Sequence, residues 1–252
     1  MRELDYIRLT RDIETWIKNY IKNAGAKGIV VGLSGGIDSA TTAALSVNAL
    51  GKENVYTFSL PCESISQDFE DAQLVANHLD IEFDNFNLTS TYKEFLNVFS
   101  SQVKTNKMAM ANLKPRLRMM ACYFISQSKG SYLVGGTGNR TELAIGYFTK
   151  YGDGGVDFEP IGALYKCEVR EVARVLKIPE KIITKAPSAG LWEGQTDEGE
   201  IGLSYDFLDE IIYRIDNNLD FNGLNKEEVE KVKKMMELAR HKLIMPPCFE
   251  IN

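Results

Sequence analysis

The sequence predicts an α/β fold in which a parallel sheet is covered by helices on both faces. Three observations support this: short runs of branched apolar residues, helical segments that follow them, and glycine turns where the two meet. Strand and helix alternate three times in roughly the first hundred residues. Ligands bind such sheets at the carboxyl ends of the strands, so we expect the functional site there.

Periodicity and turn residues place the elements along the chain. Tyr6, Leu9 and Ile13 follow helical spacing and predict an amphipathic first helix that stops near Gly25. The apolar runs predict strands at residues 29–33, 55–60, 82–88 and 131–135. Further helices are predicted at residues 40–50, 68–79, 89–103, 119–127, 166–176, 206–216 and 226–238. Pro115 fits the first turn of the helix predicted at residues 119–127. Residues 186–200 lack periodicity and predict a long mobile loop that acts as a lid.

The turn after the first strand is the clearest candidate binding site. It aims backbone N–H groups and the positive end of a helix at one point, which suits a phosphate. It has neither the lysine of a Walker loop nor the three spaced glycines of a dinucleotide fingerprint. An ordinary strand-to-helix turn is the alternative interpretation. The candidate residues are Gly32, Ser34, Gly35, Gly36, Ile37, Asp38 and Ser39.

A second glycine turn follows the fourth predicted strand and leads to Glu142. Its position predicts that Asp38 and Glu142 lie at the same edge of the sheet. Mg²⁺ prefers oxygen ligands, often one or two carboxylates together with phosphate oxygens. Each acid alone could instead be stabilised by the dipole of its helix. Lys166 and Arg118 can complement phosphate charge.

Composition narrows the class of protein. The 252 residues carry a net charge of −6, which argues against nucleic-acid binding as the main function. The four cysteines are far apart and form no CxxC pair, so we expect a reducing compartment. We find neither a signal peptide nor a membrane span, and predict a cytoplasmic protein of one domain, residues 1–252.

Three segments together resemble the NAD synthetase family. Ser-Gly-Gly-Ile-Asp-Ser at 34–39 by itself resembles the pyrophosphate loop of the wider ATP pyrophosphatase superfamily. Gly-Thr-Gly-Asn-Arg-Thr-Glu at 136–142 and the aromatic, glycine-rich segment 146–157 complete the resemblance, and the last of these is the discriminating one. Residues 196–206 and His241-Lys242 also match, so the resemblance covers nearly the whole chain.

The resemblance implies a fold and an assembly. The fold is α/β, doubly wound, with a mainly parallel sheet of five strands and helices on both faces, as in the adenine nucleotide alpha hydrolase-like group. It implies a homodimer that binds neither nucleic acid nor a membrane. Glutamine-using members carry a large amidase domain, for which 252 residues leave no room. We therefore expect no glutaminase domain and the use of free ammonia.

The resemblance also implies a reaction and roles for residues. ATP adenylates the nicotinate carboxylate of deamido-NAD and releases pyrophosphate; ammonia then attacks the acyl adenylate and gives NAD and AMP. The implied catalytic residues are Asp38, Glu142, Lys166 and Asp153, with Asp38 and Glu142 binding Mg²⁺. The candidate residues of the first glycine turn, with Arg118, Thr137, Lys166 and Ser188, would bind ATP. The substrate-binding residues would be Tyr20, Asn112, Phe148, Lys150, Asp153, Asp157, His241 and Lys242, with Tyr20 and His241 acting across a dimer interface. Asp153 is the candidate for positioning ammonia or taking its proton.

Two other functions remain open at this point. One is a different ATP pyrophosphatase amidoligase, such as a GMP-synthetase-like domain. The other is a module that binds ATP as a sensor without turnover. A sensor would not need two carboxylates and the 146–157 segment at the same edge of the sheet.

Overall fold

The sheet has four parallel strands in the part of the chain that the computed structural model describes, residues 2–192 and 194–249. The strands are β1 (Gly28–Gly32), β2 (Val55–Ser59), β3 (Phe83–Asn85) and β4 (Tyr132–Val134), in the spatial order β3-β2-β1-β4. The chain moves outward from β1 to β3 and then returns to place β4 on the other side of β1. The crevice between β1 and β4 is therefore the switch point at which ligands bind such sheets.

Eleven α-helices surround this sheet in the described residues. They are α1 (Tyr6–Asn23), α2 (Ile37–Leu50), α3 (Ser66–Leu79), α4 (Thr89–Phe99), α5 (Lys107–Ser128), α6 (Arg140–Ile145), α7 (Lys166–Val175), α8 (Glu180–Ile183), α9 (Asp197–Ile201), α10 (Tyr205–Asp216) and α11 (Lys226–Leu243). None of the helices described is both long enough and apolar enough to cross a bilayer.

Alternate side chains of the strands fill two cores. Ile29 and Val31 of β1 face the larger core with α1, α2, α3 and α7, whereas Val30 faces the core on the opposite side, where α5 packs. Such alternation is the expected result of the two-residue period of a strand. A further cluster joins α6, α10 and α11 beside the sheet. The predicted doubly wound α/β fold is thus confirmed.

The strand count is smaller than the five expected. Next to β4, where a fifth strand would pair, the described residues form one isolated parallel bridge, between Gly135 and Phe158. The carboxylate of Asp157 accepts a hydrogen bond from the backbone N–H of Val134 at 2.7 Å. A side chain thus takes the place of a ladder carbonyl, and Pro160, which has no N–H, follows three residues later.

The helix α5 begins twelve residues earlier than the predicted residue 119. Asn106 caps it, because its side chain accepts a hydrogen bond from the N–H of Ala109. Pro115 therefore lies inside the helix and not in its first turn. Its ring is buried, so it packs in the interior at a position where proline removes a backbone hydrogen bond. The predicted lid, 186–200, contains the first residues of α9, and its Glu193 lies outside the described residues.

Candidate active site

The turn between β1 and α2 forms a concave loop at the switch point. Ser34 and Ser39 close it, since their hydroxyl oxygens lie 3.1 Å apart and the Ser39 hydroxyl donates to the carbonyl of Gly36 at 3.0 Å. Gly35 has a φ of +78°, and a Cβ there would lie 2.5 Å from the carbonyl oxygen of Asp68, so this position requires glycine. The N-cap residue of α2 is Gly36, which has no side chain with which to cap the helix. The first turn of the helix therefore presents backbone donors to an anion.

Three charged side chains from different elements meet beside this loop. The Lys166 Nζ, at the start of α7, lies 2.6 Å from Asp38 Oδ2 and 3.1 Å from Glu142 Oε1. Only 2% of the Lys166 side chain is exposed, compared with 19% for Asp38 and 16% for Glu142. Because β4 pairs with β1, the two carboxylates reach the same lysine from neighbouring turns. The predicted catalytic residues Asp38, Glu142 and Lys166 are thus brought together.

Three residues that received no role in the sequence analysis complete this cluster. Asn139 is fully buried and donates to Asp38 Oδ1 at 3.0 Å, while its own amide oxygen caps α6 in a capping box with Glu142. The hydroxyl of Tyr205 lies 3.2 Å from Glu142 Oε1 and 2.9 Å from Asp197 Oδ2. Asn139 lies within the motif that leads to Glu142, so its position in the sequence could have indicated that it belongs to the site. Tyr205 and Asp197 lie in the matching segment 196–206, but nothing local indicates their contacts.

Burial and charge set the ionisation of this cluster. Burial and the charge of Asp38 raise the pKa of the Glu142 carboxyl, although the Lys166 charge opposes them. Burial alone would lower the pKa of the Lys166 ammonium, but Asp38 and Glu142 outweigh it and raise that pKa. Burial, followed by the charge of Glu142, also raises the pKa of Tyr205. Lys166 therefore stays charged, and Tyr205 stays a hydrogen-bond donor.

The donors suit magnesium better than a metal that needs a complete protein cage. Among residues 2–192 and 194–249, no group of three or more His, Cys, Asp or Glu side chains has the arrangement of a metal site. Asp38 and Glu142 offer carboxylate oxygens from two sides of one point, next to a loop that suits phosphate. Mg²⁺ usually takes one or two carboxylates and obtains its other ligands from phosphate and water.

The glycine-rich segment 146–157 is held by α11 and α5. Lys242 Nζ donates to the carbonyls of Gly146 and Phe148 at 2.6 and 2.7 Å. Lys150 Nζ donates to the carbonyl of His241 at 2.5 Å. On the α5 side, Asn112 Oδ1 accepts a hydrogen bond from the hydroxyl of Thr149, while Asp153 Oδ1 accepts one from the N–H of the same residue. Six predicted substrate-binding residues therefore meet here: Phe148, Lys150 and Asp153 belong to the segment, and Asn112, His241 and Lys242 contact it.

A cavity of about 40 Å³ connects this segment to the carboxylate cluster. It is lined by Thr137, Gly138, Glu142, Leu143, Phe148, Asp153, Gly154 and Glu159. Glu159 was not predicted. Its carboxylate accepts a hydrogen bond from the N–H of Gly138 at 2.9 Å, and burial raises its pKa to about 8. The predicted residues Thr137 and Asp153 therefore face the same small space as Glu142.

Other predicted residues lie outside this cluster. The guanidinium of Arg118 donates to the carbonyl of Leu60, just beyond β2, at 3.1 Å and to Ser64 Oγ at 3.3 Å. Ser188 bonds within its own loop, donating to the carbonyl of Gln195 at 2.8 Å. The Tyr20 hydroxyl donates to the carbonyl of Asp157 in its own chain at 2.9 Å. The side chain of Ile37 is buried in the larger core, which leaves its backbone to face a ligand.

Comparison with known proteins agrees with this geometry. A family model described as NAD synthase matches residues 9–246. The chain belongs to the NAD synthase family. It is 46% identical over 239 residues to an NH(3)-dependent NAD(+) synthetase of Carboxydothermus hydrogenoformans, a match that covers 94% of this chain and 95% of that one.

Two solved structures are similar over almost their whole length. An NMN synthetase from Francisella tularensis has a TM-score of 0.89 and 33% identity, covering 99% of this chain and 100% of that one. An NH3-dependent NAD synthetase from Campylobacter jejuni, in complex with the nitrate ion, has a TM-score of 0.84 and 31% identity, covering 98% and 100%. The prediction of an NAD synthetase, which is a ligase, is confirmed, and the amidoligase and sensor alternatives are not favoured.

Proposed function

We propose that this chain amidates deamido-NAD with ammonia at the expense of ATP, giving NAD, AMP and pyrophosphate. The observation that supports this most directly is the position of Lys166 between Asp38 and Glu142, beside a glycine loop that leads into the start of α2. A carboxylate is a poor acyl donor, and transfer of AMP to it supplies a good leaving group. The reaction therefore needs a site that holds a departing pyrophosphate, which this loop suits.

In the first step, a nicotinate oxygen attacks the α-phosphorus of ATP, and the bond to pyrophosphate breaks. The N–H groups at the start of α2 receive the negative charge of the leaving group. Lys166 contributes a permanent positive charge from a buried position, where it acts more strongly than in water. Arg118 lies beyond the end of the neighbouring strand β2 and would bind the nucleotide from that side.

Magnesium would be held by Asp38 and Glu142 and would neutralise phosphate charge when bound. Lys166 and Tyr205 orient the Glu142 carboxylate, and Lys166 and Asn139 orient that of Asp38. Each carboxylate thus has fixed hydrogen-bond partners before the ligand arrives, which lowers the cost of arranging the site.

In the second step, ammonia attacks the acyl carbon, AMP leaves, and the new amide must lose a proton. Asp153 is the proposed acceptor, because it lines the cavity that reaches Glu142. The backbone of Thr149 orients its carboxylate through a 2.9 Å hydrogen bond. The segment 146–157 would hold the nicotinate end of the dinucleotide above this cavity.

A second substrate is worth testing because of one comparison. The Francisella tularensis protein with a TM-score of 0.89 is an NMN synthetase, so its product is a mononucleotide. The chemistry at the carboxylate would be the same, and the choice between substrates would depend on whether the site holds the second nucleotide.

The decisive assay supplies ATP, MgCl₂ and ammonium chloride with one acceptor at a time: deamido-NAD, nicotinate mononucleotide or xanthosine monophosphate. Equal amounts of AMP and NAD from the first acceptor support the proposal. Faster turnover of the mononucleotide would make the chain an NMN synthetase, and AMP formed with xanthosine monophosphate alone would contradict both. Asp38→Asn should sharply reduce turnover while the chain still folds. Asp12→Asn, on the exposed face of α1, is the matched control.

A homodimer is the proposed assembly. Helices α4 and α5 expose large apolar side chains, including Val98 and Phe124, which are 64% and 73% exposed. Phe124 also borders an apolar depression of about 410 Å³ against Phe86 and Leu88. Apolar surfaces of this kind usually mark protein contacts, and a second copy is the partner we propose. The cytoplasmic location and the single-domain organisation remain predictions.

A further inference from the structure

The candidate pyrophosphate loop is contacted by a lysine that belongs neither to the sequence motifs nor to the proposed reaction. Lys185 follows α8 and directly precedes the predicted lid. Its Nζ lies 3.3 Å from the carbonyl oxygen of Gly35, 2.9 Å from Asp68 Oδ1 and 2.7 Å from Asp71 Oδ2. An ammonium group has three N–H donors, and these three acceptors can use all of them.

The contact with Gly35 fixes the direction of the peptide between Gly35 and Gly36. A trans peptide points its carbonyl and its N–H in opposite directions. Because the Gly35 carbonyl points toward Lys185, the Gly36 N–H points the other way, toward Ser34 Oγ at 3.3 Å. The concave side of the loop, where the serine hydroxyls lie, therefore presents a donor.

A peptide between two glycines is unusually free to rotate, because neither residue has a Cβ to restrict it. Rotation of this peptide would turn the Gly35 carbonyl oxygen toward the bound anion and would remove the Gly36 donor. Repulsion by the carbonyl dipole would then replace one attractive contact. The positive charge of Lys185 opposes that rotation, and the two carboxylates hold Lys185 in place.

We propose that Lys185 is a positioning residue that keeps the Gly35–Gly36 peptide oriented for pyrophosphate. The inference rests on the proposed function only for the identity of the anion. Lys185 acts through the loop backbone, in contrast to Lys166, whose ammonium is placed to meet the phosphates.

The neighbouring lysine provides a matched control. Lys181 Nζ pairs with the same buried Asp71 at 2.6 Å, but among its described contacts it has none with the loop. Removing either lysine leaves Asp71 with the other lysine and with Gln67, which donates to it at 3.0 Å. The variants Lys185→Met and Lys181→Met thus both weaken the Asp71 ion pairs, whereas the Lys185 variant also frees the Gly35 carbonyl and the Asp68 carboxylate.

The experiment measures binding of inorganic pyrophosphate by titration calorimetry in MgCl₂, together with the KM values for ATP and deamido-NAD. We expect Lys185→Met to weaken pyrophosphate binding and raise the KM for ATP about tenfold or more, as for a lost hydrogen bond to a charged group. The KM for deamido-NAD and the unfolding temperature should stay close to those of Lys181→Met. Lys185→Gln loses the same charge but keeps a donor, so it should bind pyrophosphate more tightly than Lys185→Met.

Equal pyrophosphate affinity in Lys185→Met and Lys181→Met would overturn the inference. If Lys185→Met does not fold, the comparison of Lys185→Gln with Lys181→Gln decides in the same way. A wild-type protein that binds pyrophosphate but makes no NAD would contradict the proposed function, and the inference would then be judged by binding alone. A wild-type protein that binds no pyrophosphate would contradict both.

Discussion

The buried carboxyl group of Glu159 should make the stability of the protein fall as the pH rises. Burial raises its pKa from an ordinary value of 4.5 to about 8, even though the N–H of Gly138 stabilises the charged form. Between those two pH values, the unfolded chain has lost the proton and the folded protein keeps it. Raising the pH therefore favours the unfolded state over this interval.

The variant Glu159→Gln isolates this effect, because glutamine keeps an oxygen for the Gly138 N–H and cannot ionise. One pKa unit corresponds to about 1.4 kcal/mol, and the folded protein is half ionised near pH 8, so the variant should gain about 2 kcal/mol relative to the wild type between pH 6 and pH 8. The difference should level off above pH 8, where both states of the wild type are ionised. Turnover would be recorded separately, since Glu159 also lines the cavity.

Urea unfolding at pH 6, 7, 8 and 9 provides the measurement, with the difference between variant and wild type taken at each pH. This difference cancels the other titrating groups. Glu70→Gln, which removes a carboxylate from an exposed position on α3, controls for the loss of one negative charge and should change stability little at any pH. A Glu159→Gln difference that stays constant from pH 6 to pH 8 would refute the argument that burial holds the proton.

Three further substitutions test the cluster and the assembly. Lys166→Met leaves two neighbouring carboxylates without their cation, so we expect the free energy of unfolding to fall by about 3 kcal/mol or more and kcat to fall at least about 100-fold. Added Mg²⁺ should raise the melting temperature of this variant more than that of the wild type. An equal rise in both proteins would contradict this. Tyr205→Phe removes the hydroxyl between Glu142 and Asp197 and should cost about 1–3 kcal/mol, with unchanged thermal unfolding as the contrary result. Phe124→Glu should yield monomers in sedimentation, and a wild type that is itself monomeric would disprove the proposed interface.

The sequence predicted the parts of the site that depend on a short motif or on the turn that follows a predicted strand. Ser34, Gly36 and Ser39 lie within six residues of one another, and their turn depends on glycine conformations that few other residues adopt. Asp38 and Glu142 could be paired in advance because each follows a predicted strand, and parallel strands bring their carboxyl ends to one edge.

The parts that were missed depend on contacts between distant segments. Tyr205 and Glu142 are 63 residues apart, and no periodicity indicates that a buried tyrosine from α10 will meet a carboxylate from α6. The early start of α5 was missed for a similar reason. Proline is common in the first turn of a helix, but Pro115 lies buried inside α5, eight residues after the helix begins at Lys107. The count of five strands came from the family resemblance, and no local pattern showed that the chain beside β4 forms one bridge only, with the Asp157 side chain accepting the hydrogen bond of Val134.

The charges of the cluster predict that the two proposed ligands, ATP and magnesium, bind as a unit. Lys166 stands between Asp38 and Glu142 and compensates part of their charge while no ligand is bound. A divalent cation entering alone would be placed beside the Lys166 ammonium, and a polyphosphate entering alone would be placed beside two carboxylates. Either ligand alone is repelled by part of the cluster, and binding of the second ligand removes that repulsion. The cation shields the carboxylates from the phosphates, and the phosphates attract the lysine. By linkage, each ligand must then raise the affinity for the other by the same factor.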